Sequence, residues 1–359
     1  LYSSAASDVY KRQVLDTTTD KDKIKTVDLG DGYTNIALFG IDPRDGEFEN
    51  GTHTDTIMIV SINNKTHDVN LVSVYRDSLL RMTTSDGDID YEKANSAFFR
   101  NGVEGALNML NNNFDLDITE YALVNFQGLA KIIDALGGVD ITITDEEAFY
   151  ISGYLTETRI ITGMDAPDVE ESGNVHLSGL QATAYCRIRY SPFTAADGTV
   201  YHNDYGRTAR QRLILTKILE KAQSAGVNQL LKVADTIIKE NDINGSKILS
   251  TNIPWNRIVD LLTVAVDCNL KDTVGFPYDT YTPERGEAYY GYVVPMGLEQ
   301  NVIRLHQFLF PDKSYTPSRM VTKINDYLID ETGVYPPTNN SNDNSTSDCL
   351  LYTSDAADE

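Results

Sequence analysis

The sequence is poor in cysteine, in basic charge and in long apolar runs, and each shortage excludes something. Of three cysteines in 359 residues, one lies in the last eleven; Cys186 and Cys268 have neither metal-ligand spacing nor a neighbouring cysteine. A structural zinc site or a disulfide framework is therefore not expected. Lys and Arg together number 30 against 53 Asp and Glu, for a net charge of −23. A general nucleic-acid binder draws its affinity from a basic surface, so this balance excludes that class, and any phosphate must be held locally. No apolar run is long enough to span a bilayer, and the length suffices for a substantial core.

The two ends are set aside. Ser4 to Gln13 and Cys349 to Glu359 read as translations of opposite strands of one sequencing adapter, so residues 1–13 and 349–359 are taken as fusion scars. A signal or anchor helix upstream of Val14 would then have been lost. Residues 14–33 are polar and read as a linker. Residues 34–335 read as one domain with a motif core over 34–222 and an extension over 223–335. The Asn/Ser-rich stretch 336–348 reads as a disordered tail.

What is there centres on Cys186 to Gln211. If C-R-I-R-Y is a strand, Arg187 and Arg189 point to one side. In the helical segment that follows, Arg207, Arg210 and Gln211 lie three and four residues apart and share a face. Guanidinium forks match phosphate oxygens bidentately and keep their charge, so such a cluster in an acidic chain reads as a phosphate or pyrophosphate site. The start of that helix, near Asp204 and Gly206, adds backbone N–H groups that favour an anion.

Asn35 to Ile41, Thr56 to Ile62 and Val69 to Val74 are apolar runs typical of buried strands. Run up, down and up, they bring Asp42, Asp55, Arg76 and Asp77 to one sheet edge, where open α/β sheets bind ligands. Two carboxylates beside arginines suit a Mg²⁺ that bridges to pyrophosphate. Lys93 precedes a predicted helix over Val103 to Leu110. Asn125 to Leu136 predicts a helix stopped by Gly137-Gly138, and Val139 to Ile143 a strand. Thr144 to Val175 is acidic and reads as irregular surface excursions. Helical patterns recur after Gly226 and over Val302 to Phe310, and Tyr289 to Val294 reads as a strand. No site signature is visible beyond Gln211.

The ordered motifs G-I-D, T-D-T, Y-R-D, K-A-N, D-A-L-G-G-V, C-R-I-R and D-Y-G-R-T-A-R-Q closely resemble those of the LytR-CpsA-Psr (LCP) family of bacterial cell-wall proteins. The resemblance implies a three-layer α/β/α sandwich with a central mixed sheet, outside the cytoplasmic membrane and tethered there by an N-terminal helix. It implies a phosphotransferase that moves a glycosyl-phosphate polymer, of the teichoic-acid or capsule kind, from a polyprenyl-pyrophosphate carrier onto peptidoglycan and releases polyprenyl phosphate. Mg²⁺, or Mn²⁺ in its place, is the implied metal. Asp42 and Asp55 match the family's metal-associated aspartates, and Arg76, Arg187, Arg189 and Arg207 its pyrophosphate-contacting arginines. Lys93, Asp204, Arg210 and Gln211 match supporting positions, with Asp77 beside Arg76. His53 stands where the family often has arginine, and the insert from Tyr190 to Asn203 is longer than usual. A polyprenyl-phosphate binding module without turnover and a pyrophosphate hydrolase are the alternative readings.

Overall fold

In chain order the elements are β1 (Tyr33–Ile41), β2 (Thr54–Asn63), β3 (Asp68–Val74), β4 (Leu79–Thr83), β5 (Ile89–Lys93), α1 (Ser96–Phe114), β6 (Glu120–Asn125), α2 (Phe126–Ala135), β7 (Val139–Ile143), α3 (Asp145–Thr162), β8 (Gly173–Leu177), α4 (Gly179–Tyr185), β9 (Phe193–Thr194), β10 (Val200–Tyr201), α5 (Asn203–Ala225), α6 (Val227–Lys239), β11 (Leu249–Thr251), α7 (Trp255–Asp267), β12 (Asn269–Phe276), β13 (Thr280–Tyr281), β14 (Val294–Pro295), α8 (Leu298–Leu309) and α9 (Arg319–Thr332). The computed structural model describes residues 19–42, 52–242 and 245–337. Both terminal stretches read as fusion scars, the stretch read as a tail from residue 338 on, and the Gly/Asp/Glu-rich stretch after Asp42 lie outside them.

Six strands make one sheet in the order β11-β6-β1-β2-β3-β12. The β1–β2 and β2–β3 pairs are antiparallel, whereas β6 runs parallel to β1 and β12 parallel to β3. The sheet is mixed, and the up-down-up course of the first three strands places their charged ends together. Side chains alternate across it. Ala37, Phe39, Ile41, Ile57 and Ile59 face one way, into a core closed by Phe98, Leu107 and Leu110 of α1, Val302 and Leu305 of α8, and Ile324 of α9. Val60, Ile62, Val69 and Leu71 face the other way, under Leu215 and Leu219 of α5 and Leu261 and Val264 of α7. Each such fully buried Leu or Phe stabilises the fold by about 1.5–3 kcal/mol. A further apolar cluster joins α2, α3, α4 and the β7–β8 ribbon.

Five sequence expectations change. C-R-I-R-Y is not a strand: a capping box between Ser178 and Gln181 starts α4, which ends at Tyr185, and Arg187 and Arg189 lie on the turn that follows. Thr144 to Val175 is not irregular, because Thr144 and Glu147 form a second capping box that opens the 18-residue helix α3. Its buried positions Ala148, Ile151 and Leu155 carry helical spacing beneath the acidic composition. Tyr289 to Tyr292 turn instead of extending, and the pairing begins only at Val293. The helix expected over Val103 to Leu110 is part of the longer α1, kinked at Asn101 and Gly102. Residues 19–32, read as linker, lie along α1: Ile24 is buried and the Lys25 N–H donates to Asn108.

A candidate phosphate-lipid site

A cavity of about 270 Å³ opens on the sheet face covered by α5. Its floor is Leu38 and Gly40 of β1, Thr56 and Met58 of β2 and Val124 of β6. Gly40 is required there, because a Cβ at that position would come within 2.9 Å of the Thr56 Cβ. One face of α5 forms a wall, and read along the helix it changes character: Arg207 and Gln211 first, then Ile214, Leu215 and Ile218. At about 1.5 Å rise per residue this face passes from cationic to apolar within three turns. A molecule seated along it meets guanidinium at one end and hydrocarbon at the other.

The polar end is a web of alternating charges. Arg76 Nη1 donates to Asp55 Oδ1 at 2.6 Å, and its Nε lies 3.5 Å from Asp77 and 3.7 Å from Asp204. Arg207, with only 4% of its side chain exposed, sits 2.8 Å from Asp204 and 3.8 Å from Asp55, and its Nη2 donates to the Asp55 carbonyl. Arg189 Nε is 3.7 Å from Asp204. Despite the long insert, which folds as the β9–β10 hairpin, Asp204 thus lies within reach of three arginines. Burial raises the Asp55 carboxyl's pKa, but the Arg207 and Arg76 charges and the Arg76 hydrogen bond outweigh it and hold it below the usual carboxylate range. Burial likewise draws Arg207 down, with Asp204 opposing, yet a guanidinium remains charged.

The remaining predicted residues divide. Asp42, Asp55, Arg187, Arg189, Arg207 and Gln211 line the cavity. Arg187 does so while donating to Glu157 and to Thr158 Oγ1 at 2.9 Å, its guanidinium 4.9 Å from the Phe126 ring. Arg76, Asp77 and Asp204 stand behind this lining, in the charge web. Lys93 is brought alongside by the β4–β5 hairpin, 3.1 Å from Asp77 and over the Tyr292 ring. Arg210 goes elsewhere. It is fully buried, donates through Nε to Glu147 at 2.9 Å and through Nη2 to the Ser191 and Pro192 carbonyls, and does not line the cavity. Sequence spacing placed it with Arg207 and Gln211; its acidic partner on α3 draws it away. Tyr154 and Glu157, on the same unforeseen helix, also line the cavity. Cys186 lines it too, but burial pushes its thiol up to about 12, which makes it a packing group and not a nucleophile. His53 stacks on Phe99 with ring centroids 4.9 Å apart.

Among the described residues no three or more His, Cys, Asp or Glu side chains cluster as a metal cage. The two aspartates at the cavity mouth suit a hard cation that draws its other ligands from phosphate and water, as Mg²⁺ and Mn²⁺ do.

Comparison with known proteins decides the family. The profile of the LytR_cpsA_psr family matches residues 2–292. The chain belongs to the LytR-CpsA-Psr family. Biofilm regulatory protein A of Streptococcus mutans is 30% identical over 228 residues, which cover 61% of this chain and 52% of that protein. The chain thus spans about half the length of that relative. The polyisoprenyl-teichoic acid–peptidoglycan teichoic acid transferase TagU of Bacillus subtilis is 25% identical over 263 residues, 73% of each chain. The LCP fold is matched by the crystal structure of B. subtilis TagV at a TM-score of 0.57, with 21% identity over 80% of this chain and all of that one. No helix among the described residues is long and apolar enough to cross a membrane.

Proposed function

We propose that the protein is a phosphotransferase that moves a glycosyl-phosphate polymer from a polyprenyl-pyrophosphate carrier to a peptidoglycan hydroxyl. The observation that carries this is the α5 face, arginine at the mouth and aliphatic below, which matches a pyrophosphate head on an isoprenoid tail. The relative named TagU, whose name states such a transfer, supports the same reading. The reaction belongs at the extracytoplasmic face of the bacterial membrane, with an upstream anchor helix as tether.

Arg187, Arg189 and Arg207 bind the pyrophosphate and neutralise charge that builds on it during transfer, while Asp204, itself beside Arg76, orients Arg189 and Arg207 and Glu157 and Thr158 hold Arg187. The acceptor hydroxyl oxygen attacks the phosphorus bonded to the sugar. A new P–O bond forms to the acceptor, the bond from that phosphorus to the bridging oxygen breaks, and polyprenyl phosphate leaves with the electron pair. The hydroxyl proton passes to a mouth carboxylate. The Asp55 carboxyl, held ionised by its arginines, accepts that proton only weakly. Asp42 and Asp55 would hold Mg²⁺ or Mn²⁺, which supplies further positive charge against the phosphates.

The test combines the protein with a labelled polyprenyl-pyrophosphate glycan, a peptidoglycan oligomer and Mg²⁺, with products read by mass spectrometry. Label is expected on peptidoglycan, with polyprenyl phosphate released, in the wild type and not in Arg189→Ala. Arg189 is one-third exposed, so its loss leaves the fold intact. Donor bound but unchanged would instead favour the binding module, a reading consistent with the regulatory name of the Streptococcus relative. Label released without acceptor would favour the hydrolase.

A further inference from the structure

Beside the charge web, in contact with Lys93, runs a ridge of tyrosines that nothing in the reaction above employs. Lys93 lies over the Tyr292 ring, Tyr292 packs edge-on to Tyr289 at 5.6 Å, and Tyr327 of α9 stacks on Tyr91 of β5 at 3.8 Å. Tyr290 is 52% exposed and Tyr327 42% exposed. The ridge is continuous with the site, because the Val293 N–H donates to the Asp77 carbonyl and the Leu79 N–H to the Val293 carbonyl. Two of its hydroxyls are tied down: Tyr289 donates to Glu331 and Tyr292 to Glu92. The Tyr289 and Tyr292 rings, and the stacked pair of Tyr91 and Tyr327, are therefore held in place and lose little entropy when a ligand is laid on them.

The chemistry of the surface selects its ligand. Exposed aromatic faces carry negative charge density that attracts the polarised C–H groups of a pyranose ring. The carboxylates of Glu92, Glu331 and Asp90 are acceptors only, able to take several donated hydrogens each, as from sugar hydroxyls and amides. Arg100 approaches Asp90 and Glu92 no closer than 3.9 Å and 4.0 Å, so the local carboxylates oppose a polyanion. We propose that the Tyr289–Tyr292 turn, with Tyr91 and Tyr327, binds a neutral N-acetylhexosamine oligosaccharide and leads it to the Asp77 edge of the site. That strand is the acceptor glycan, because the donor's head group is seated in the cavity itself. The assignment of its purpose rests on the transferase reading; the binding does not.

The probe is chitotetraose, titrated against the full chain and followed by saturation-transfer NMR. Wild type and Arg189→Ala are expected to bind alike, with tyrosine ring resonances perturbed, while Tyr290→Ala and Tyr327→Ala each weaken binding about tenfold, as loss of one aromatic face implies. Tyr327→Phe keeps the ring and retains binding, which separates recognition from any disturbance of α9. Absence of binding by the wild type, or equal binding by both alanine variants, overturns the proposal. In the transfer assay Tyr290→Ala is expected to raise the KM for peptidoglycan and leave that for the lipid-linked glycan unchanged; an unchanged KM for peptidoglycan, or a raised KM for the lipid-linked glycan alone, overturns the assignment to the acceptor. Should transfer fail in the wild type while chitotetraose still binds, the transferase reading falls and the glycan surface stands.

Discussion

Arg207 and Arg210 are one turn apart on the same helix, both almost wholly buried, and they serve different ends. Arg207 meets Asp204 and Asp55, carboxylates that are each about a quarter exposed, and Asp55 lines the cavity. Arg210 meets Glu147, itself 6% exposed, and two backbone carbonyls, between the rings of Tyr185 and Phe193. Removal of one partner of such a pair leaves an uncompensated buried charge, at a cost of about 3–5 kcal/mol. Arg210→Ala is therefore expected to lower unfolding stability by that amount in urea titration. The residual folded protein should transfer at near wild-type rate, whereas Arg189→Ala is folded and inactive. Arg210→Ala with wild-type stability and no transfer would move Arg210 from the scaffold into the substrate site.

At the scale of elements, α3 links the scaffold to the site. Thr144 Oγ1 accepts from the Glu147 N–H, Glu147 Oε2 accepts from the Thr144 N–H, and Glu147 Oε1 receives Arg210. Two turns on, Tyr154 and Glu157 reach the cavity, and Thr158 accepts from Arg187. Thr144→Ala removes one cap bond and is expected to cost about 1 kcal/mol. Amide hydrogen exchange should show faster opening of α3 before any other helix; uniform loss of protection across the fold would count against this local role. The capping signature T-x-x-E was legible in the sequence, but an acidic composition hid the helix behind it. The strands β1 to β3 were legible because a buried strand leaves a continuous apolar run. β12 was not, since Asn269 to Phe276 is a half-exposed edge strand with charges among its apolar residues. The convergence of Arg187, Arg189 and Arg207 was legible as motif and spacing, although through a turn and not a strand. What no local pattern could reveal was which guanidinium a distant carboxylate would claim, and so Arg210 was misplaced. The tyrosine ridge was equally hidden, because it joins a β-hairpin, a turn and a C-terminal helix far apart in the chain.

At the scale of the whole molecule, a net charge of −23 opposes any anionic substrate, and affinity must come from the local arginines and from buried hydrocarbon. The second source has more room than the cavity alone. Behind it, between the sheet and α7, lies a separate apolar space of about 130 Å³ lined by Val60, Ile62, Leu219, Leu261 and Val264, and Leu215 belongs to the walls of both. Leu215 thus partitions the path that an isoprenoid tail would follow. Leu215→Trp is expected to fill this partition and raise the KM for a long-chain donor about tenfold. A donor with a shortened isoprenoid should respond much less, because its tail ends before Leu215, and kcat should hold because the arginine web is untouched. Overpacking costs about 1–3 kcal/mol, so a melting curve must accompany the kinetics. Leu215→Ala joins the two spaces and should act in the opposite sense, lowering the KM for the long-chain donor only. If long and short donors respond equally to both substitutions, the tail does not pass Leu215 and the apolar face of α5 is simply core.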